Sequence, residues 1–220
     1  MTIEELKTLV FYLDGLKYSF QMAELASQRL KATLDEIAQK HPNEYTENQI
    51  TSCLLDAWVM VDVCHRVREL VQQTPGLRKK LPGIQVFLRG TEQVQNLRNY
   101  VQHFRSGIPD IPLQSNPLWG VLSWTSSNDK TTGYTIFSGN LVVGVSGASL
   151  PLDVHKFQFA PEIKLIAHGI EIDLCMIAEQ LVEVKSCIVD WLGQLPNFSL
   201  VKGKTAVLSF SAVKLPAPPA

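Results

Sequence analysis

Residues 6–37 read LKTLVFYLDGLKYSFQMAELASQRLKATLDEI. Leu6, Leu9, Leu13, Leu16, Phe20, Ala23, Ser27, Leu30, Leu34 and Ile37 recur at alternating steps of three and four. At 3.6 residues per turn, that spacing holds one apolar stripe on one side of a helix. The stripe decides the fold class, because a helix this long must bury it against other helices, as in a bundle. Thr2 followed by Glu5 has the form of a capping box, and the helix is expected to end near His41-Pro42.

The pattern repeats outward from there. A second helix is predicted over 46–74, with a seam of Ile50, Leu54, Ala57, Val61, Cys64 and Val71 and a stop at Pro75-Gly76. A third is predicted over 82–104, with Phe87, Val94, Leu97, Val101 and Phe104 facing inward. Gly90 weakens its middle and marks a break or a close approach. From Asn116 the texture changes to short β-branched and aromatic runs between turn residues: PLWGVLSWT, TTGYTIFSG, NLVVGVSG, KFQF and EIKLIAHGIEIDL. A fourth helix carries Leu174, Ile177, Leu181, Val184, Ile188, Trp191 and Leu195 at helical steps. TAVLSFSAV (205–213) reads as a last strand, and LPAPPA is a Pro-rich tail. The predicted class is α+β, mainly α. A four-helix bundle (2–105 and 173–195) takes a small, mostly antiparallel β insert at about 116–172, between helices 3 and 4, and a closing strand follows. All of it is expected to form one domain over 1–214, with a tail at 215–220.

The 220 residues are 45% hydrophobic and 19% charged, which supports a real core rather than disorder. Lys plus Arg is 20 and Asp plus Glu is 21, a net charge of −1. No global field draws the chain to nucleic acid, so RNA contact would need a local basic patch. Cys53, Cys64, Cys175 and Cys187 form no CxxC pair and sit in apolar helical contexts, as core thiols of a reducing compartment do. Cys64 and His65, adjacent on a helix, point about 100° apart and make a poor metal pair. The acidic start MTIEELKTLVFYLDG does not resemble a signal peptide, and no segment reaches the ~20 apolar residues of a membrane span. A cytoplasmic protein is expected, with no cofactor or metal.

Several motifs fail. Gly203-Lys204-Thr205 would end a phosphate loop only with glycine where Phe198 stands. GVSGA (144–148) lacks the second glycine of a nucleophile elbow and the helix that follows one. His155 and His168 read as surface or structural histidines on strand or turn positions.

One pattern survives: Arg98-Asn99-Tyr100-Val101-Gln102-His103, of the form R-N-x-x-x-H, in the last turns of a bundle helix before a chain break at Ser106-Gly107-Ile108-Pro109. By average residue usage it arises by chance in about one chain in a hundred of this length, so it carries weight. Asn99 and His103 stand one turn apart on one stripe, and Arg98 and Gln102 on the next. Arg98 offers a permanently charged planar fork suited to phosphate. A histidine can move protons near neutral pH, and a cationic ring near a helix C-terminus is favoured by the helix dipole. The alternative is a helix-end polar cluster bonding loop carbonyls.

R-N-x-x-x-H late in a bundle helix resembles the HEPN superfamily (higher eukaryotes and prokaryotes nucleotide-binding). The resemblance covers the helical parts and leaves the β insert unexplained. It implies a homodimer in which two motifs share one cleft. It also implies a metal-independent endoribonuclease of a defence or toxin–antitoxin type, acting on RNA, with a protein antitoxin as partner. On that resemblance His103 is the general acid/base, Arg98 neutralises the phosphorane and Asn99 orients. Tyr100 and Gln102 become binding residues. Asp62, His65 and Arg66, in DAWVMVDVCHRVREL, would adjoin the motif, or else form a salt-bridged solvated face through Asp62–Arg66 and His65–Glu69, with Arg68 as a further cation. Two other functions stay open: a non-catalytic HEPN-like module binding a nucleotide or protein, and a purely structural interaction protein.

Overall fold

The computed structural model describes residues 3–40, 45–77, 79–103, 117–139, 150–153, 155–156, 158–160 and 162–194. Its first two helices, α1 (Ile3–Gln39) and α2 (Glu47–Gln73), form an antiparallel hairpin. Tyr12 meets Gln73 near one end, and Arg29 pairs with buried Asp56 midway along. Of the predicted seam on α1, Leu9, Leu16, Phe20, Ala23, Leu30, Leu34 and Ile37 are buried, while Leu13 and Ser27 are half-buried. α2 starts at a capping box in which the Thr46 hydroxyl accepts from the Gln49 backbone and the Gln49 side chain accepts from the Thr46 N–H.

The expected third helix is two helices, α3 (Pro82–Gly90) and α4 (Glu92–Gln102). Counting α5 (Leu174–Gly193), the described residues hold five helices, the expected third helix being split in two. Gly90 is both the break and the close approach that its position foretold. A Cβ there would stand 2.1 Å from Nε2 of Gln180 on α5. The break itself is held from α2. The buried Arg68 donates to the Leu88 carbonyl and the Thr91 hydroxyl, and that hydroxyl donates to the Phe87 carbonyl. Carbonyls at the end of α3 are thus satisfied by side chains, and α4 restarts with its own direction.

Among the described residues, an antiparallel sheet of four strands lies between α4 and α5: β1 (Val121–Thr125), β2 (Gly133–Phe137), β5 (Ile163–Ala167) and β6 (Ile170–Asp173), in the order β2-β1-β5-β6. A separate small hairpin pairs β3 (Leu152–Asp153) with β4 (Gln158–Phe159). Leu122, Trp124, Ile136, Leu165 and Ile172 join the helical side chains in the core. Asp173 ends β6 and caps α5, its carboxylate accepting from the Cys175 and Met176 N–H groups. The chain is therefore α+β and mainly helical, with a small antiparallel sheet, as its patterning predicted.

Cys53 and Cys64 are buried, and burial pushes both thiols up to about 12; Cys175 and Cys187 are half-buried. Among the described residues, no helix is long and apolar enough to cross a membrane. Thr2, Phe104, the NLVVGVSG stretch apart from Ser138-Gly139 before it, Gly144–Ala148, Leu195, Gly203–Thr205, the 205–213 strand and the tail lie outside the described residues.

Gly120, just before β1, has φ +87°, and a Cβ there would lie 2.5 Å from the Ile166 carbonyl oxygen of the neighbouring strand. Both the dihedral and the backbone contact demand glycine. Gly120→Ala is expected to cost about 3 kcal/mol, since neither strand can give way without breaking the β1–β5 pairing. Urea unfolding of the two chains measures it, and a loss below ~1 kcal/mol would show that the β1 entry relaxes freely.

Candidate functional site

α4 packs against α2 and β6 through Val94 and Leu97, both buried, and through half-buried Val101. Helical periodicity then turns Arg98, Asn99 and Gln102 away from the core centre. Arg98 is half-buried, and its Nη1 donates to Oε1 of Gln102 at 2.5 Å. Asn99 and His103 are exposed one turn apart. His103 is the C-cap residue, its backbone N–H shared between the Asn99 and Tyr100 carbonyls at 3.1 Å each. So Arg98 and Gln102 come together as their spacing predicts, and Asn99 and His103 share the outer stripe.

The facing side is α2. Arg66 and Asp62 form an ion pair at 2.7 Å on the exposed surface. His65 departs from the expected solvated face. It is 6% exposed, its Nε2 lies 3.3 Å from a Glu69 oxygen, and neither ring nitrogen makes a hydrogen bond. The contact to Glu69 is therefore electrostatic. Burial holds the imidazole below its ordinary range, Glu69 and Asp62 oppose that, and the Arg98 and Arg68 charges reinforce it. The sensitivity of His65 to Arg98 ties the motif on α4 to the polar set on α2. Arg68 is different: buried and bonded to Leu88 and Thr91, it serves the α3–α4 break.

A lowered folded-state pKa means that the unfolded chain takes up a proton at His65 first as pH falls. Stability from this group is complete above pH ~6.5 and drains away below it. His65→Leu removes both unpartnered nitrogens. The parent is therefore expected to lose more stability between pH 8 and pH 5.5 than the variant does, as read by denaturant unfolding at each pH. Parallel losses would mean His65 is not the group responsible.

Tyr100 turns to the sheet. Its ring stacks on His168 with centroids 4.5 Å apart and planes 13° from parallel, and its hydroxyl donates to the Leu118 carbonyl at 3.4 Å. Burial raises its phenol pKa. His168 and Gly169 form the two-residue connection between β5 and β6, with φ of 51° and 72°, the left-handed pair of a type I′ hairpin. Next to Leu118, Trp119 is 47% exposed; its carbonyl accepts from Trp58 Nε1 at 3.1 Å, and the two indoles meet edge to face at 6.3 Å. Patterning did not mark His168 or Trp119 as site residues. The only local signal was His-Gly between two β runs, which predicts the hairpin but not what its tip touches.

No family model, curated protein or solved structure matches the chain.

Proposed function

We propose that the chain is a HEPN-like, metal-independent endoribonuclease in which two copies pair so that the ends of two α4 helices share one cleft. One observation carries the reading. Among the described residues, Arg98 forms no ion pair with a carboxylate, although Asp62 and Glu69 stand nearby and engage Arg66 and His65. Among the described residues its side chain bonds to the neutral Gln102 amide, so its full charge remains for an anion. Gln102 holds the guanidinium in place without neutralising it, which suits the binding of a phosphate oxygen.

The chemistry follows from that placement. The ribose 2′-oxygen attacks the adjacent phosphorus while His103 takes its proton. The bond from phosphorus to the 5′-oxygen breaks, and that oxygen receives a proton as it leaves. The products are a 2′,3′-cyclic phosphate and a free 5′-hydroxyl. Arg98 balances the charge that builds on the phosphorane, and Asn99, beside His103 on the outer stripe, orients the nucleophile or the phosphate. Burial holds His65 below its ordinary range, which favours the uncharged ring and so limits competing positive charge. Purified protein incubated with mixed RNA in EDTA is expected to leave 2′,3′-cyclic phosphate ends. Intact RNA would overturn the reading in favour of a module that holds an anion without cutting it.

A further inference from the structure

α1 has a second apolar line, on the side turned away from the core. Phe11, Tyr18, Met22 and Leu25 are 77%, 39%, 49% and 58% exposed. At 3.6 residues per turn they fall within a sector of about 60°. With Gly15 they step by four, three, four and three, the mean spacing of a coiled-coil seam. The Leu70 side chain of α2 lies over Gly15, where a Cβ would stand 3.2 Å from it. Leu55 of α2, 60% exposed, adjoins Asp56, which Arg29 reaches at the other end of the line. The outer face of the α1–α2 hairpin is thus apolar along much of its length. Taking about 200 Å² for each whole residue, the five exposed side chains leave on the order of 500 Å² open. That is near the top of the range for a monomer's largest apolar patch.

Three features point to a second copy of this chain as the occupant. The spacing is that of a helix paired lengthwise with another helix. The line is symmetric, since Phe11 and Leu25 each lie seven residues from Tyr18. Laid antiparallel on its own copy, it sets Phe11 against Leu25 at both ends and Tyr18 on the two-fold axis, as an isologous contact requires. The area also agrees: one face of a stable homodimer covers ~800 Å² and is about 65% apolar, close to the apolar surface open on this face. We infer that the outer face of the α1–α2 hairpin is an interface between two copies of this chain, with α1 antiparallel to α1 about Tyr18. The Tyr12–Gln73 and Arg29–Asp56 contacts set His65 of α2 abreast of Phe20 on α1, close to that axis along the helix. The two α4 motifs, whose Arg98 charge is felt at His65, therefore come to nearly one level of the dimer. The interface needs no RNA chemistry and gives the pairing proposed above a surface of its own.

Sedimentation velocity of the full chain at micromolar concentration is expected to show a dimer. Phe11→Glu and Leu25→Glu should each weaken it at least about tenfold, because a carboxylate would be buried between the helices. Both positions are exposed in the single chain, so helix content by circular dichroism should match the parent's. Asn99→Glu, on the outer stripe of α4, is expected to leave the dimer standing. Thiol pairing reads the axis. Under a mild oxidant, Tyr18→Cys should link to its own copy, and Phe11→Cys should link to Leu25→Cys when the two chains are mixed, each judged against the parent with its own four cysteines. A parent that stays monomeric would overturn the interface. So would a dimer broken by Asn99→Glu and not by Leu25→Glu, or one in which Tyr18→Cys fails to link. RNA cleavage is scored separately: a dimer of this geometry that leaves RNA intact would overturn the ribonuclease and keep the interface, and cleavage by a monomeric parent would do the reverse.

Discussion

A His103→Ala chain is expected to lose RNA cleavage by about 10²–10⁴-fold with its thermal unfolding unchanged, and Arg98→Ala by about 10²–10³-fold. The separation of activity from stability follows from position. His103 is exposed at the end of α4, where its cap contacts are made by its backbone N–H, which alanine retains. Arg98 is half-buried, and what it loses is a hydrogen bond to a surface glutamine, worth about 1 kcal/mol at most. Neither residue supports the core, to which α4 contributes Val94 and Leu97, with half-buried Val101 near its end. Arg98→Lys should fall between parent and alanine: the charge stays, but the planar fork that can engage two phosphate oxygens is gone. The measurement is initial rate on a labelled RNA in EDTA, with unfolding midpoints for each chain. A His103→Ala rate within threefold of the parent would remove His103 from the chemistry. A drop matched by a fall in midpoint would make the polar cluster a helix-end structural feature instead.

The difference between what patterning revealed and what it hid is one of interaction range. The seam of α1 and the span of α2 were legible because helix periodicity acts within a few residues, while the Thr46–Gln49 box of α2 went unread. The strands around Val121, Gly133 and Ile163 were legible as strands from their β-branched and aromatic texture. Their order β2-β1-β5-β6 was not, because the β1–β5 pairing, from Trp124–Ile163 to Val121–Ile166, joins residues far apart in the chain and leaves no local mark. The α3–α4 break showed only as Gly90. What makes it a true break is Arg68, on another helix. His65 misled for the same reason. An ionisable pair at i and i+4 looks solvated in a helical reading, and only the packing of α4 over α2 buries the ring. For the candidate site, Arg98, Gln102, Asn99 and His103 were legible because they lie within two turns of one helix. Trp119 and His168 were not, since their nearness to Tyr100 exists only once the insert folds back on α4.

Arg68→Met is the variant expected to cost most stability among substitutions near the site, about 2–3 kcal/mol, or a midpoint lower by roughly 5–10 °C. Arg68 is 7% exposed, and burial lowers its pKa, with Cys64 and Glu92 acting in the other direction. Among the described residues it has no carboxylate partner, so its charge is stabilised by the Leu88 carbonyl and the Thr91 hydroxyl. Methionine keeps the length and packing of the stem but donates nothing. The Leu88 carbonyl at the end of α3 is then left buried without a donor, and Thr91 keeps only its bond to Phe87. Relief from desolvating a guanidinium offsets part of that loss, which is why the figure stays below the cost of breaking a buried ion pair. The consequence reaches function through α4. Its start is tethered to α2 by Arg68, while its later turns carry Arg98, whose charge is felt at His65 on α2. Freed at one end, α4 can shift on α2, and a displacement of ~1 Å at Arg98 is enough to misplace a phosphate. Arg68→Met should therefore slow RNA cleavage well below its own unfolding midpoint. If it loses activity strictly in step with unfolding, Arg68 stabilises the break without setting the position of the motif.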